Sequence, residues 1–168
     1  MASIALLVVF PFLMAYAAAS DLLTMTIPNR LSLALVATFP VAALTLGLGW
    51  AEAGSHGAAG ALTLLVTFTM FSFGWIGGGD AKLAAATALW LGFEVLADYV
   101  LLASLAGGVL TLLLMQARTY PLPGFAVGWP WARRLHDRRT GVPYGIALAA
   151  SALVICPMAP LWRAALPA

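Results

Sequence analysis

An aspartate stands directly after three glycines, Gly77-Gly78-Gly79-Asp80, between two apolar stretches, with Lys82 just beyond. A second aspartate, Asp21, ends the first apolar stretch. A charged side chain at membrane depth costs at least about 2.5 kcal/mol on insertion scales, so an acid kept there points to a function. Two carboxylates brought close together cannot both ionise easily; they share a proton and titrate as a pair. One then acts as base toward a water while the other, protonated, donates to a substrate carbonyl. That chemistry hydrolyses an amide bond and calls for no metal and no cofactor. The glycines permit positive φ and close approach of another backbone. A helical substrate would have to unwind beside the acids, and bare backbone before Asp80 leaves room for that. The structural alternative is that Asp80 caps a helix, Asp21 begins a turn and the glycines form a tight loop.

The scaffold that positions these acids is legible in the composition. The chain is 63% hydrophobic and 8% charged, with a mean hydropathy of +1.00. A soluble domain carries about 25% charged residues. Such a chain cannot cover its surface with polar groups, so it reads as an integral membrane protein with the lipid bilayer as partner. Residues 1–168 fit one domain. A net charge of +2 gives no support to a nucleic-acid partner. The single Cys156 excludes an internal disulfide and a multi-cysteine zinc site. His56 and His136 form no ligand pattern and read as exposed loop residues. Met1–Ser20 is apolar but has no Lys or Arg at its start, so it reads as a retained span rather than a signal peptide.

Six apolar stretches predict an all-α, six-helix transmembrane bundle: 2–19, 31–49, 58–73, 80–93, 95–115 and 142–160. Pro28 disfavours a helical Ile27 and suits the start of the second helix. Trp50–Gly57 reads as a loop. The fourth stretch would make only about 20 Å of helix, against a core of about 30 Å. Charge decides that it crosses. With six crossings, Arg30, Lys82, Arg118, Arg133, Arg134, Arg138 and Arg139 share one side and Arg163 alone lies on the other. That asymmetry puts the basic loops in the cytoplasm and both termini in the periplasm. Asp21 and Asp80 then fall on the same membrane face.

The remaining charges have simpler roles. Glu52, Glu94 and Asp98 belong to the outer side and read as interfacial. Asp137, among four arginines, reads as a solvated ion pair. Lys82 either snorkels to the interface or tunes the acidity of Asp80. The loop Gln116–Gly141 combines Tyr120, Trp129 and Trp131 with the arginines, a pattern of contact with anionic lipid.

Gly77-Gly78-Gly79-Asp80 with Ala81-Lys82-Leu83 resembles the Gly-x-Gly-Asp signature of the type IV prepilin peptidases, which are intramembrane aspartic proteases. Asp21 followed by Ile27-Pro28-Asn29 resembles their first catalytic motif. Val142-Pro143-Tyr144-Gly145 resembles the Pro-Tyr-Gly element at the start of their last helix. The resemblance implies that Asp21 and Asp80 are the catalytic dyad, at the cytoplasmic face of a bacterial inner membrane. It also places Gly77, Gly78, Gly79, Lys82, Pro143, Tyr144 and Gly145 at the active-site backbone or the substrate. The implied substrate is a prepilin, cut after the glycine that ends a short basic leader, just before its hydrophobic helix. Long members of the family carry a cytoplasmic insert with paired cysteines, linked to N-methylation. Only a short loop separates Asp21 from the second span here, which resembles the small branch serving Flp (tight-adherence) pili. Relatives often have basic residues where this chain has the uncharged Leu22–Thr26.

The expectation is thus a membrane aspartic endopeptidase that removes the leader from Flp-type prepilins; its oligomeric state is left open. The alternatives are a small proton-coupled transporter, for which two related halves would be expected and none is found, and a structural subunit of a secretion assembly.

Overall fold

The computed structural model describes the backbone of residues 2–165, with side chains from residue 8. Its elements are α1 (Ala2–Thr24), α2 (Asn29–Thr45), α3 (Trp50–Ser72), α4 (Gly78–Leu91), α5 (Leu96–Ala117), α6 (Pro130–His136), α7 (Tyr144–Ile155) and α8 (Pro160–Ala165). Short 3-10 turns lie at Gly124–Ala126 and Cys156–Met158. No strand occurs among the described residues.

Contacts between the helices define two ends. At one, Asp21 of α1 meets Gly145 of α7, and Lys82 of α4 donates to Asn29 of α2. Arg118, just past α5, donates to the Gly141 carbonyl ahead of α7. Arg134 of α6 donates to the Leu23 carbonyl at 2.8 Å, which sets α6 across the last turn of α1. At the other end, His56 of α3 bonds the Leu89 carbonyl of α4 and stacks on Phe39 of α2. There too Glu94 pairs with Arg163 at 3.1 Å. Six helices, α1 to α5 and α7, therefore run alternately between the two ends.

α4 is the axis of the bundle. Nine of its 14 residues are buried, most of them alanine. Small side chains let the flanking backbones approach closely from several sides. The fourth apolar stretch is thus a short helix buried by its neighbours on most sides. Trp90 anchors its far end, donating its indole N–H to the Leu35 carbonyl at 2.8 Å and packing on Phe10, Phe39 and Trp162.

The outer surface is apolar. Phe12, Leu33, Leu65, Phe68, Leu101 and Leu112 all point outward and are more than half exposed. Hydroxyls on these faces turn inward: Thr69, Ser72 and Ser104 each donate to the carbonyl four residues back. Polar groups are thereby satisfied without water. Among the described residues α5 alone, 22 residues with mean hydropathy 2.0, is long and apolar enough to cross a membrane by itself. Val8–Thr24, α2 and Tyr144–Met158 are shorter apolar helices.

Several sequence expectations are corrected. Trp50–Gly57 is the start of α3 rather than a loop: Gly54 and Gly57 weaken a helix without ending it, and His56 packs the turn against Leu89 and Phe39. His56 is accordingly buried, not exposed. His136 ends the short helix α6 and is only partly exposed. The sixth stretch does not run unbroken to Pro160: Pro157 converts it to a 3-10 turn after Ile155, and α8 follows. Asp137 closes a turn by accepting from the Arg139 backbone N–H at 2.9 Å, while the one ion pair among the described residues is Glu94–Arg163.

Candidate active site

Asp21 lies in the last turn of α1, which the sequence ends sharply. Met25 adopts a φ of 57°, a conformation costly for a residue with a Cβ. Hydroxyls hold it there: Thr24 donates to the Ser20 carbonyl at 2.7 Å and Ser20 to the Thr26 carbonyl at 2.9 Å. Pro28 then forces extended backbone and caps α2. The result turns Asp21 inward. It is 5% exposed, and its Oδ2 accepts a hydrogen bond from the Gly145 N–H at 2.7 Å. Gly145 must be glycine for this: a Cβ there would lie 2.6 Å from Ile27 Cδ1 and 2.8 Å from Asp21 Oδ2.

Asp80 is the third residue of α4. Gly77 precedes the helix in extended conformation, at φ −72° and ψ 146°. The carboxylate folds back over it, with Oδ2 2.9 Å from where a Gly77 Cβ would be. An acid in this position also favours the helix N-terminus, as the structural alternative for Asp80 requires. None of Gly77, Gly78 and Gly79 uses positive φ; that part of the sequence reading is corrected. Close approach is what they provide. A Cβ on Gly78 would meet the Phe71 ring at 3.2 Å, and one on Gly79 would meet Ile27 Cβ at 3.1 Å.

Ile27 ties the two acids' surroundings together. Its side chain lies against both Gly79 of α4 and Gly145 of α7. Asp80, next to Gly79, and Asp21, bonded to Gly145, therefore lie at the same end of the bundle. Pro143 is buried ahead of α7. Tyr144 donates to the Ala103 carbonyl at 3.2 Å, and its ring fills the notch left by Gly107. Tyr144 and Asp80 line one pocket of about 160 Å³ between α3, α5 and α7. Lys82 is not part of that pocket. Positions two apart on a helix point about 200° away from each other, and Lys82 instead faces a groove of about 570 Å³ between α2, α3 and α4, its Nζ 2.9 Å from Asn29 Oδ1.

Residues 8–112, more than half of the chain, match the type IV leader peptidase family. The chain belongs to that family. It is 34% identical over 120 residues to the prepilin leader peptidase/N-methyltransferase of Bacillus subtilis (strain 168), covering 69% of this chain and 48% of that one. It is also 34% identical over 100 residues to the protein of the same name from Pectobacterium carotovorum subsp. carotovorum, covering 55% of this chain and 35% of the relative. The chain therefore spans about half, or less, of the length of these curated relatives. No solved structure matches it.

The stretch that matches the leader peptidase family holds Asp21 and Asp80 but stops before Pro143-Tyr144-Gly145. The fold brings that later element back to Asp21 all the same. Sequence reasoning missed three contributors. Ile27 was noticed only as part of a motif, and its place between Gly79 and Gly145 has no sequence signature. Gly107, with Gly108, was a legible signal: paired glycines inside an apolar helix mark a close approach. Tyr99, 1% exposed on α5 and lining the Asp80 pocket, was hidden in an apolar run.

Proposed function

We propose that this chain is a multi-pass membrane aspartic endopeptidase that removes the basic leader from Flp-type (type IVb) prepilins at the cytoplasmic face of the inner membrane. What supports this reading is that Asp21 of α1 and Asp80 of α4 lie at the same end of the bundle, with Ile27 against both Gly79 and the Gly145 that bonds Asp21, in a leader peptidase family member. In the proposed reaction one carboxylate is ionised and takes a proton from a water. The hydroxide attacks the scissile carbonyl carbon while the other, protonated, carboxyl donates to the carbonyl oxygen. The tetrahedral intermediate collapses as a proton passes to the amide nitrogen and the C–N bond breaks. The Gly145 N–H fixes the orientation of Asp21, and Gly77 to Gly79 let Asp80, Phe71 and Ile27 pack against bare backbone around the acids.

The apolar outer surface supports lipid as the solvent around the bundle. The basic residues of α6 and its flanks lie at the Asp21 end, which supports a cytoplasmic site. Four residues, Met25–Pro28, join α1 to α2, leaving no room at that point for a cysteine-bearing insert.

Coexpression with a candidate Flp prepilin, followed by leader removal on gels, tests it. Asp21→Asn and Asp80→Asn should each lower cleavage by about 10²- to 10⁴-fold at unchanged membrane level. Undiminished cleavage by either variant would sink the dyad.

A further inference from the structure

The pocket that Asp80 lines has a direction. Met70 and Ile76 line it at the end of the bundle that holds Asp80, and Ala84 lies one turn further along α4, with Tyr99 and Val100 on the α5 side. The pocket thus runs from the acid inward along the bundle axis. It is too small for a helix, which is 10–12 Å across, yet about 160 Å³ is ample for one side chain. Apart from Asp80 its charged complement is nil: no Lys, Arg, His or second acid lines it. Asp80 therefore repels an acidic occupant, and apolar walls disfavour any charge.

Tyr99, 1% exposed, closes the α5 side of the pocket with its ring. A substrate segment unwound at membrane depth has lost its helical hydrogen-bond partners and finds no water there, so an apolar recess beside the acid suits a side chain rather than bare backbone.

Resting on the peptidase reading above, we infer that this pocket is the subsite for the residue that follows the scissile bond. The leader lies outside the membrane and the apolar helix within it. The side chain directed inward from Asp80 is therefore the first on the helix side of the cut. The subsite takes an uncharged side chain, small to medium in size.

Val100 offers a fold-neutral handle, since it lines the pocket yet is 50% exposed on the outer face. The probe is a peptide with a short basic leader, glycine before the cut, and an apolar helix of about 20 residues. It is made with Ala, Leu, Phe or Glu after the cut and presented in vesicles with the reconstituted full chain. Val100→Phe should lower kcat/KM for the Phe and Leu peptides by about tenfold or more relative to the Ala peptide. Val100→Ala should move the ratio the other way, and the wild type should disfavour the Glu peptide. Should Val100→Phe fail to insert, the Val100→Ala ratio alone decides. Active wild-type protein with ratios unchanged by both variants overturns the subsite while leaving the peptidase; a lipid chain filling the pocket would give that result. A wild type inactive on every peptide overturns the peptidase reading and the subsite with it.

Discussion

At the residue scale, the site is a set of side chains that are absent as much as present. Asp21 bonds the Gly145 N–H at 2.7 Å, and an added Cβ at Gly145 would stand 2.8 Å from the same oxygen, so a larger residue must displace a neighbour. Gly145→Ala should push Asp21 or Ile27 aside. A displacement of about 1 Å at reacting groups costs on the order of 10²-fold in rate, so kcat for leader removal should fall by about that much with the protein still in the membrane. Gly124→Ala is the control, since its Cβ meets nothing within 4 Å, and it should cleave normally. Lys82 allows a sharper test. Its ammonium faces the α2–α3–α4 groove and Asn29, away from Asp80. Lys82→Met should therefore leave the pH dependence of cleavage where it is, measured as kcat/KM against pH. Movement of the acidic limb would show that the lysine does tune the aspartate.

At the scale of the element, the turn between α1 and α2 aims Asp21, and its strain is concentrated at Met25. A φ of 57° suits glycine and is worst for a β-branched residue. Met25→Gly should leave thermal stability equal or slightly higher, and Met25→Val should lower it by about 1–2 kcal/mol, read from unfolding in detergent. If both variants unfold alike, the hydroxyl bonds of Ser20 and Thr24 alone set the turn. This element also shows how far sequence can be read. Asp21, Pro28 and Asp80 were legible because charge in an apolar chain and proline chemistry are local properties. The role of Ile27 was not, since it depends on Gly79 and Gly145 arriving from remote parts of the chain. His56 misled for the complementary reason: a lone polar residue near Gly and Ser resembles a loop, and only the Leu89 carbonyl and the Phe39 ring make its burial tolerable. The break at Pro157 was visible, but a proline near a helix end does not say whether the chain kinks or stops.

At the scale of the whole molecule, orientation decides whether the acids can meet a cytoplasmic leader. The end that holds Asp21 and Asp80 also holds Lys82, Arg118, Arg134 and the chain around α6, while the opposite end holds the Glu94–Arg163 pair. Basic residues near helix ends are retained on the cytoplasmic side. The aromatic cluster beside them, with Trp129 and Trp131 stacked at 5.6 Å and Phe125 against Trp129, suits the headgroup layer of an anionic leaflet. These features argue for one orientation without reference to catalysis, which makes them a separate test. In a Cys156→Ala background, a membrane-impermeant thiol reagent applied to intact cells should label Glu52→Cys and Glu94→Cys but not Arg139→Cys. Inside-out vesicles should reverse the pattern. All three native residues are exposed in the fold, so silence at one of them reports the barrier rather than burial. Labelling of Arg139→Cys from outside would turn the molecule over. The acids would then face the periplasm, and cleavage of a leader held in the cytoplasm could not be their work.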